Sequence, residues 1–301
     1  MKPYKKDAFK QMRGTLLFNA PLANFTTWKV GGPADKIFFP LDLLDLSLFL
    51  KTLPPKEEIL WLGCGSNILV RDGGLRGTVI IVNNYINNCN LIAENTVYAG
   101  AGCLSSTLAY FCLKHNLTGL EFLAGIPGTV GGALYMNAGA YGGQTWDYVE
   151  KVATIDRAGN EIIRNKNEYN IGYRTIVMPK PEWFTAGFFT LKTGEQKKSQ
   201  EHINFMLDSR KNNHPLEYPN AGSVFRNPQN NIARNLIAAS GLTGLQIGGA
   251  QISPKHTNFI ITHPGACAAD IEKLISHTQE IVYQKQNIRL ETEVKIVGGA
   301  A

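Results

Sequence analysis

The sequence predicts an α+β protein in which a larger strand-rich domain precedes a C-terminal domain of about 100 residues. Three observations carry that prediction. Up to residue 194, short stretches with apolar residues at every second position predominate, with helical patterns set between them. After it come three helical patterns and few strands. Thr193-Gly194, followed by the polar run Glu195–Glu201, marks the break. The chain thus divides into an arm over 1–19, a first domain over 20–194 and a second over 195–301.

Alternation bounded by turn residues places strands at Lys36–Pro40, Ile59–Leu62, Thr78–Val82, Thr96–Ala99, Val149–Asp156, Glu161–Arg164 and Phe184–Leu191. Ala158-Gly159-Asn160 supplies the turn of a hairpin between two of these. Helical spacing marks Leu41–Thr52, Leu104–His115, Glu195–Asn212, Asn231–Ser240 and Ala269–Gln286. In the last of these, Ile271, Leu274, Ile275, Thr278, Ile281 and Val282 share one face. Leu290–Val297 reads as a final strand.

Bulk properties narrow the function classes. The 301 residues are 44% hydrophobic and 18% charged, an ordinary globular balance. No apolar run approaches the roughly 18 residues of a membrane span. The N-terminus is basic (Lys2, Lys5, Lys6, Lys10, Arg13), but Asn19, Pro21 and Asn24 interrupt the mildly apolar stretch after it, against a signal peptide. The five cysteines (Cys64, Cys89, Cys103, Cys112, Cys267) are odd in number and form no CxxC pair. They predict free thiols in a reducing cytoplasm, with no disulfide framework and no metal site. The net charge of +6 favours an anionic partner. Its cations are dispersed, which suits small anions better than a nucleic-acid backbone.

Leu120–Gly143 holds seven glycines in 24 residues, interleaved with Leu120, Phe122, Leu123, Ile126, Val130, Leu134, Tyr135 and Met136. Such density predicts a buried backbone running flush against a flat or phosphorylated ligand, with N–H groups as donors, and not a polar linker. Gly63-Cys64-Gly65-Ser66-Asn67-Ile68 follows a strand and falls short of GxGxxG, because Ile68 stands in the third glycine's place. This loop is either a phosphate nest or a tight turn between two strands. GxxxxGK[ST], GxSxG and HExxH are absent from the sequence.

Three segments carry a family resemblance: Asn24–Pro33 (NFTTWKVGGP), Gly63–Asn67 and Gly125–Gly132 (GIPGTVGG). They are similar to the flavin-binding segments of the vanillyl-alcohol-oxidase type, also called the PCMH type. Asn137-Ala138-Gly139-Ala140-Tyr141-Gly142 resembles, within it, the UDP-N-acetylenolpyruvoylglucosamine reductases of peptidoglycan synthesis. The likeness runs from about Phe25 to Gly298. It implies a PCMH-type FAD-binding region of two α+β subdomains over 20–194, followed by a smaller α+β substrate-binding domain over 195–301. It implies one FAD, with its pyrophosphate near Gly63, Cys64, Gly65, Ser66 and Asn67, and with Trp28, Ile68 and Leu69 as further cofactor-binding residues. Gly125, Ile126, Pro127, Gly128, Thr129, Gly132, Ala133, Asn137, Ala138, Gly139 and Ala140 would then lie near the isoalloxazine. Some relatives attach flavin through histidine; neither loop contains one, so the flavin is expected to be non-covalent.

The same resemblance implies the chemistry. NADPH is the hydride donor, and the enolpyruvyl group of UDP-N-acetylenolpyruvoylglucosamine is reduced to give UDP-N-acetylmuramate. Carried over by position from Tyr173-Arg174, Ala221–Phe225 and Leu290–Val294, Ser223 is the proton donor, while Arg174 and Glu293 stabilise the intermediate. An always-charged guanidinium suits the substrate carboxylate and its developing charge. Glu293 in that role needs a proton, hence a pKa raised by burial. Tyr173, Arg210, Lys211, Arg226 and Asn227 are the further substrate-binding candidates, whereas His256 reads as a satisfied structural histidine.

The competing readings are a flavin-dependent sugar or alcohol oxidase and a non-catalytic flavin-binding protein; the Arg174, Ser223 and Glu293 segments weigh against both. Two features depart from the family pattern or subdivide it. Ile176 occupies a position where the family has serine, and the following segment carries Pro179 and Pro181. The 70 positions from Ser223 to Glu293 (293 − 223) resemble the family's shorter subclass.

Overall fold

The structure is a computed structural model that describes residues 12–83 and 85–301. Lys2, Lys5, Lys6 and Lys10 of the basic N-terminus lie outside the described residues. Helices and strands mix throughout, so the α+β class is the one found. The chain forms two compact units. Among the described residues, the first contains 12–17, 36–63, 77–83 and 85–208; the second gathers 18–35 and 64–76 with 209–301.

In the first unit, a five-stranded antiparallel sheet runs in the order Glu161–Asn165, Val149–Asp156, Glu182–Thr190, Thr96–Gly100, Cys89–Ala93. The expected hairpin over Ala158–Asn160 joins its first two strands. Asp156 closes that turn by accepting from the Asn160 backbone N–H at 2.9 Å. Helices α2 (Ser105–Lys114) and α3 (Val130–Met136) belong to the same core, in which Leu108, Leu123, Leu134, Val152 and Phe189 are fully buried. A second core surrounds α1 (Leu43–Thr52), where Phe38 stacks on Phe49 with ring centroids 3.9 Å apart. Helix α1 starts where it does because Asp42 caps it, accepting from the Asp45 N–H at 2.9 Å. Asp45, fully buried, keeps its charge satisfied by the N–H groups of Arg13, Gly14 and Leu41.

In the second unit, α5 (Ala233–Ala239) and α6 (Ala268–Gln286) share a core with Trp28, Leu69, Val224, Phe225 and Ile252. A three-stranded antiparallel sheet runs in the order Gln246–Ile247, Ala250–Ile252, Ile260–Thr262. Ile68–Val70 pairs in parallel with Lys295–Val297. The buried face of α6 is the expected one, with Ile271, Leu274, Ile275, Thr278 and Val282 inside. Its first turn is held by Asp72, which accepts from the N–H groups of Ala268 and Ala269, both at 2.9 Å.

Two elements differ from expectation. The strand expected over Leu290–Val297 is regular only at Lys295–Val297, with a lone antiparallel bridge between Thr292 and Phe225 upstream. The units also do not follow the linear division at residue 194. Trp28 is sealed in the second unit, its indole N–H donating to the Ile260 carbonyl at 2.7 Å, and the Ile68–Val70 pairing draws the second N-terminal segment there too.

Candidate active site

The glycine-rich stretch is neither linker nor loop throughout. Leu120, Phe122 and Leu123 anchor its start in the core of the first unit, with a 3₁₀ turn over Glu121–Gly125. Thr129 then caps α3, its hydroxyl accepting from the Gly132 N–H at 3.4 Å. Asn137 ends the helix in the left-handed region at φ 41°, a conformation that asparagine tolerates. These two caps let a helix form across Gly131-Gly132, where propensity disfavours one.

The expected N–H donors are taken in part by the protein itself. Val130 and Gly131 donate to the carbonyls of Cys103 and Ala101 at 2.8 and 2.9 Å, and Gly132 to Thr129. What remains for a ligand here is bare backbone surface. A Cβ at Gly131 would stand 3.0 Å from the Ala101 Cβ, so packing explains that glycine. At Gly132 the nearest atom would be 3.8 Å away, so packing does not require glycine there. A helical glycine that internal packing does not require fits the close approach of a flat ring system.

The fold joins the two glycine-rich segments at Gly63. A Cβ there would meet the Thr129 hydroxyl at 2.5 Å, so Gly63 passes against the α3 cap with no room for a side chain. Both alternatives for the Gly63–Ile68 loop share this placement, since it connects the strands Ile59–Leu62 and Ile68–Val70. Within the second unit, Gly65 at φ 64° sits under the Phe25 carbonyl and accepts from the Thr27 N–H at 3.1 Å. Ile68 and Leu69 are buried strand residues, and Trp28 is wholly enclosed, so its side chain braces this segment from the core. Burial pushes the Cys64 thiol up.

Asn137 is 1% exposed and links this stretch to a distant hairpin. Its carboxamide donates to Gln144 and to the Gly172 carbonyl, both at 3.0 Å, and accepts from the Trp146 N–H at 3.1 Å. Gly172 pairs with Thr175 across the turn that carries Tyr173 and Arg174. Arg174 lies at φ 53°, a strained conformation for a residue with a long side chain. Its guanidinium donates to the carbonyls of Gly139 and Asn137 and stacks over the Tyr173 ring at 5.4 Å. The first unit therefore holds Arg174 directly against the Asn137–Ala140 segment. Ile176 is the Ile171 partner in this hairpin and packs against the core, so the departure at this position is filled by apolar contact.

In the second unit, the segment after Ser223 and the segment that carries Glu293 are joined by backbone pairing. The Glu293 N–H donates at 2.8 Å to the carbonyl of Val224, and Arg226 N–H to Glu291 at 2.9 Å. Asn67 reaches the same place, its side chain donating to the Glu293 carbonyl at 3.2 Å. Asn227 uses its side-chain oxygen to accept from the first N–H of α5 at 3.0 Å. Arg210 and Lys211 close α4 (Gln196–Asn213), where cations oppose the helix dipole, and the Lys211 carbonyl accepts from Lys255 at 2.9 Å.

Two residues beside these cations were not legible together in the sequence. His214 and His256 lie edge to face with centroids 5.3 Å apart, both against Phe259. Burial, with Arg210, Lys255 and Arg234 around His214, pushes its pKa down to about 4. Burial and then His214 push His256 down to about 4. The Nδ1 atoms of both rings are buried with no hydrogen-bond partner, so His256 is structural but not satisfied as expected. All five cysteines are free. Among the described residues no helix is long and apolar enough to cross a membrane.

A helical backbone stripped of its side chain at Gly132, beside the buried Thr129 cap, fits FAD, and the fold defines a flavin-binding oxidoreductase class. Residues 35–164 match the FAD binding domain family, and residues 214–297 match the C-terminal domain of UDP-N-acetylenolpyruvoylglucosamine reductase. The chain belongs to the UDP-N-acetylenolpyruvoylglucosamine reductase family. It is 48% identical to the reductase of Methylococcus capsulatus, over 96% of this chain and 95% of that one. It is 46% identical to that of Legionella pneumophila, over 96% and 94%. The crystal structure of the Thermus caldophilus enzyme superposes with a TM-score of 0.82 at 30% identity, covering 95% of this chain and 100% of that one.

Proposed function

We propose that the protein reduces the enolpyruvyl group of UDP-N-acetylenolpyruvoylglucosamine to give UDP-N-acetylmuramate, a step of peptidoglycan precursor synthesis, with FAD bound non-covalently and NADPH as hydride donor. The observation that carries this reading is the 2.8 Å bond from the Glu293 N–H to Val224, which pins the two segments expected to bear the proton chemistry to each other.

The segments around Gly63 and Gly132 would hold FAD, which would supply hydride-transfer chemistry between NADPH and C3 of the enolpyruvyl group. Negative charge then develops on C2 and the carboxylate. Arg174 binds that carboxylate, its fork pre-oriented by the Gly139 and Asn137 carbonyls. Glu293, protonated, donates a hydrogen bond to a carboxylate oxygen. Ser223 protonates C2, its hydroxyl being acidic enough for a carbanion-like centre held within reach. Tyr173, Arg210, Lys211, Arg226 and Asn227 serve substrate binding. The segment over 20–194 carries the flavin and that over 195–301 the substrate chemistry, supported by the separate family matches on the two sides of residue 194. Five free thiols support a cytoplasmic location.

One anaerobic titration tests donor, cofactor and acceptor together. Flavin absorbance of the purified protein should bleach on adding NADPH and return on adding the enolpyruvyl substrate. Flavin that NADPH does not bleach, or that only O₂ restores, overturns the proposal.

A further inference from the structure

Ser223 is held through the backbone on both sides. Before it, Gly222 sits at φ 72° with its N–H donating to the Asn220 side-chain oxygen at 3.1 Å. After it, Val224-Phe225-Arg226 is a short extended segment whose one edge is bonded to Glu291–Val294. Its other edge has no strand to meet. It meets Asn258.

Asn258 is 4% exposed and does what a neighbouring strand would do. Its carboxamide oxygen accepts from the Phe225 N–H at 2.9 Å, and its carboxamide N–H donates to the Phe225 carbonyl at 2.9 Å. Its own backbone carbonyl accepts from the Val224 N–H at 2.8 Å. Three hydrogen bonds from one residue thus fix the two residues after Ser223, in a place where Phe225 is 2% exposed and water cannot substitute.

Asn258 is itself held firmly. It ends the hairpin loop between the Ala250–Ile252 and Ile260–Thr262 strands, which is closed by Ser253 N–H to Phe259 carbonyl at 2.8 Å. The Ser253 hydroxyl accepts from the N–H groups of Lys255 and His256 at 3.2 and 3.3 Å, and the Thr257 hydroxyl donates to the Arg234 carbonyl. The loop is therefore a rigid mount.

We propose that Asn258 is a positioning residue for the reduction: by clamping Val224 and Phe225 it sets the Ser223 hydroxyl in register with Glu293. It does not touch the reacting atoms. The inference rests on the reading of Ser223 as the proton donor, and the test separates the two.

The two half-reactions of the flavin-loaded protein are followed by stopped-flow absorbance, with NADPH alone and then with the enolpyruvyl substrate. Asn258→Ala should leave reduction by NADPH within about threefold while slowing reoxidation by substrate about 30- to 100-fold, as a misplaced catalytic group does. Asn258→Asp keeps the acceptor for the Phe225 N–H and loses one donor, so it should retain flavin and fall between the two. In a Ser223→Ala background, Asn258→Ala should change reoxidation by less than about threefold, because its effect passes through the missing hydroxyl. A full additional loss in that background, or loss of both half-reactions in Asn258→Asp, would mean a merely structural clamp and overturn the proposal. Normal reoxidation in a folded Asn258→Asp and Asn258→Ala would overturn it as well. Ser223→Ala alone reoxidising normally refutes the proton-donor reading itself, and the positioning role falls with it.

Discussion

The carboxamide of Asn67 donates to the backbone carbonyl of Glu293 at 3.2 Å. The Lys295 N–H returns a bond to the Asn67 carbonyl at 3.1 Å. A loop proposed to carry flavin phosphates and a strand proposed to carry an acid are thereby one structural piece. Replacing Asn67 with Ala should lower stability by about 1 kcal/mol, the usual worth of one such bond. Flavin retention and substrate reoxidation should weaken together; the first is read from released flavin fluorescence and the second by stopped flow. Loss of one with the other intact would show that the two are not coupled through this bond.

Arg174 stands at φ 53° and its fork grips two carbonyls. Lysine keeps the charge but not the planar fork. Arg174→Lys should reduce turnover about 100-fold, the scale of losing one preorganised donor, while the melting temperature moves little. Steady-state kinetics beside a thermal melt would check both halves.

Gly132 and Gly131 are adjacent but should respond oppositely to alanine. Gly131→Ala meets Ala101 at 3.0 Å and should destabilise the protein. Gly132→Ala meets only Thr129 at 3.8 Å and gains helix propensity, raising stability by about 0.5 kcal/mol in the flavin-free protein. Its FAD affinity should nonetheless fall at least about tenfold, because a methyl group occupies the ligand's side of the helix. Flavin titration of the two apoproteins would distinguish these outcomes.

The histidine pair sets an acid limit on folding. His214 and His256, ordinarily titrating near 6.5, are held at about 4 in the folded protein. Between those values the unfolded chain binds protons that the folded one refuses, so stability present above about pH 6.5 is lost as pH falls through about 4. His256→Gln should make the urea midpoint fall less steeply across that window and leave the two curves parallel at higher pH. An unchanged slope would remove the pair from the account.

The elements that could be read from the sequence are those whose signal is local. Ile271, Leu274, Ile275 and Thr278 repeat at helical spacing, and α6 buries them all. The Ala158–Asn160 turn needed only its own residues. Helix α3 was not read because Gly131 and Gly132 oppose it, and the caps that rescue it, Thr129 and the left-handed Asn137, are visible only as geometry. Of the site, residue types and order were legible through the family resemblance. The supports were not. Asn258 carries no pattern marking it as a partner of Phe225, and Asn137 no pattern joining it to Gly172. Both bonds cross more than thirty positions, which no periodicity reaches.

The parallel pairing of Ile68–Val70 with Lys295–Val297 has a consequence in time. A ribosome delivers the first of these strands long before the second, Lys295 following its partner Ile68 by 227 positions (295 − 68). Until then Trp28 and Leu69 lack the α5 and α6 side chains that enclose them. The second unit therefore closes late, its early apolar segments waiting exposed, and long-range pairing of this kind folds slowly. Its folding clock is set by translation of the far end of the sheet.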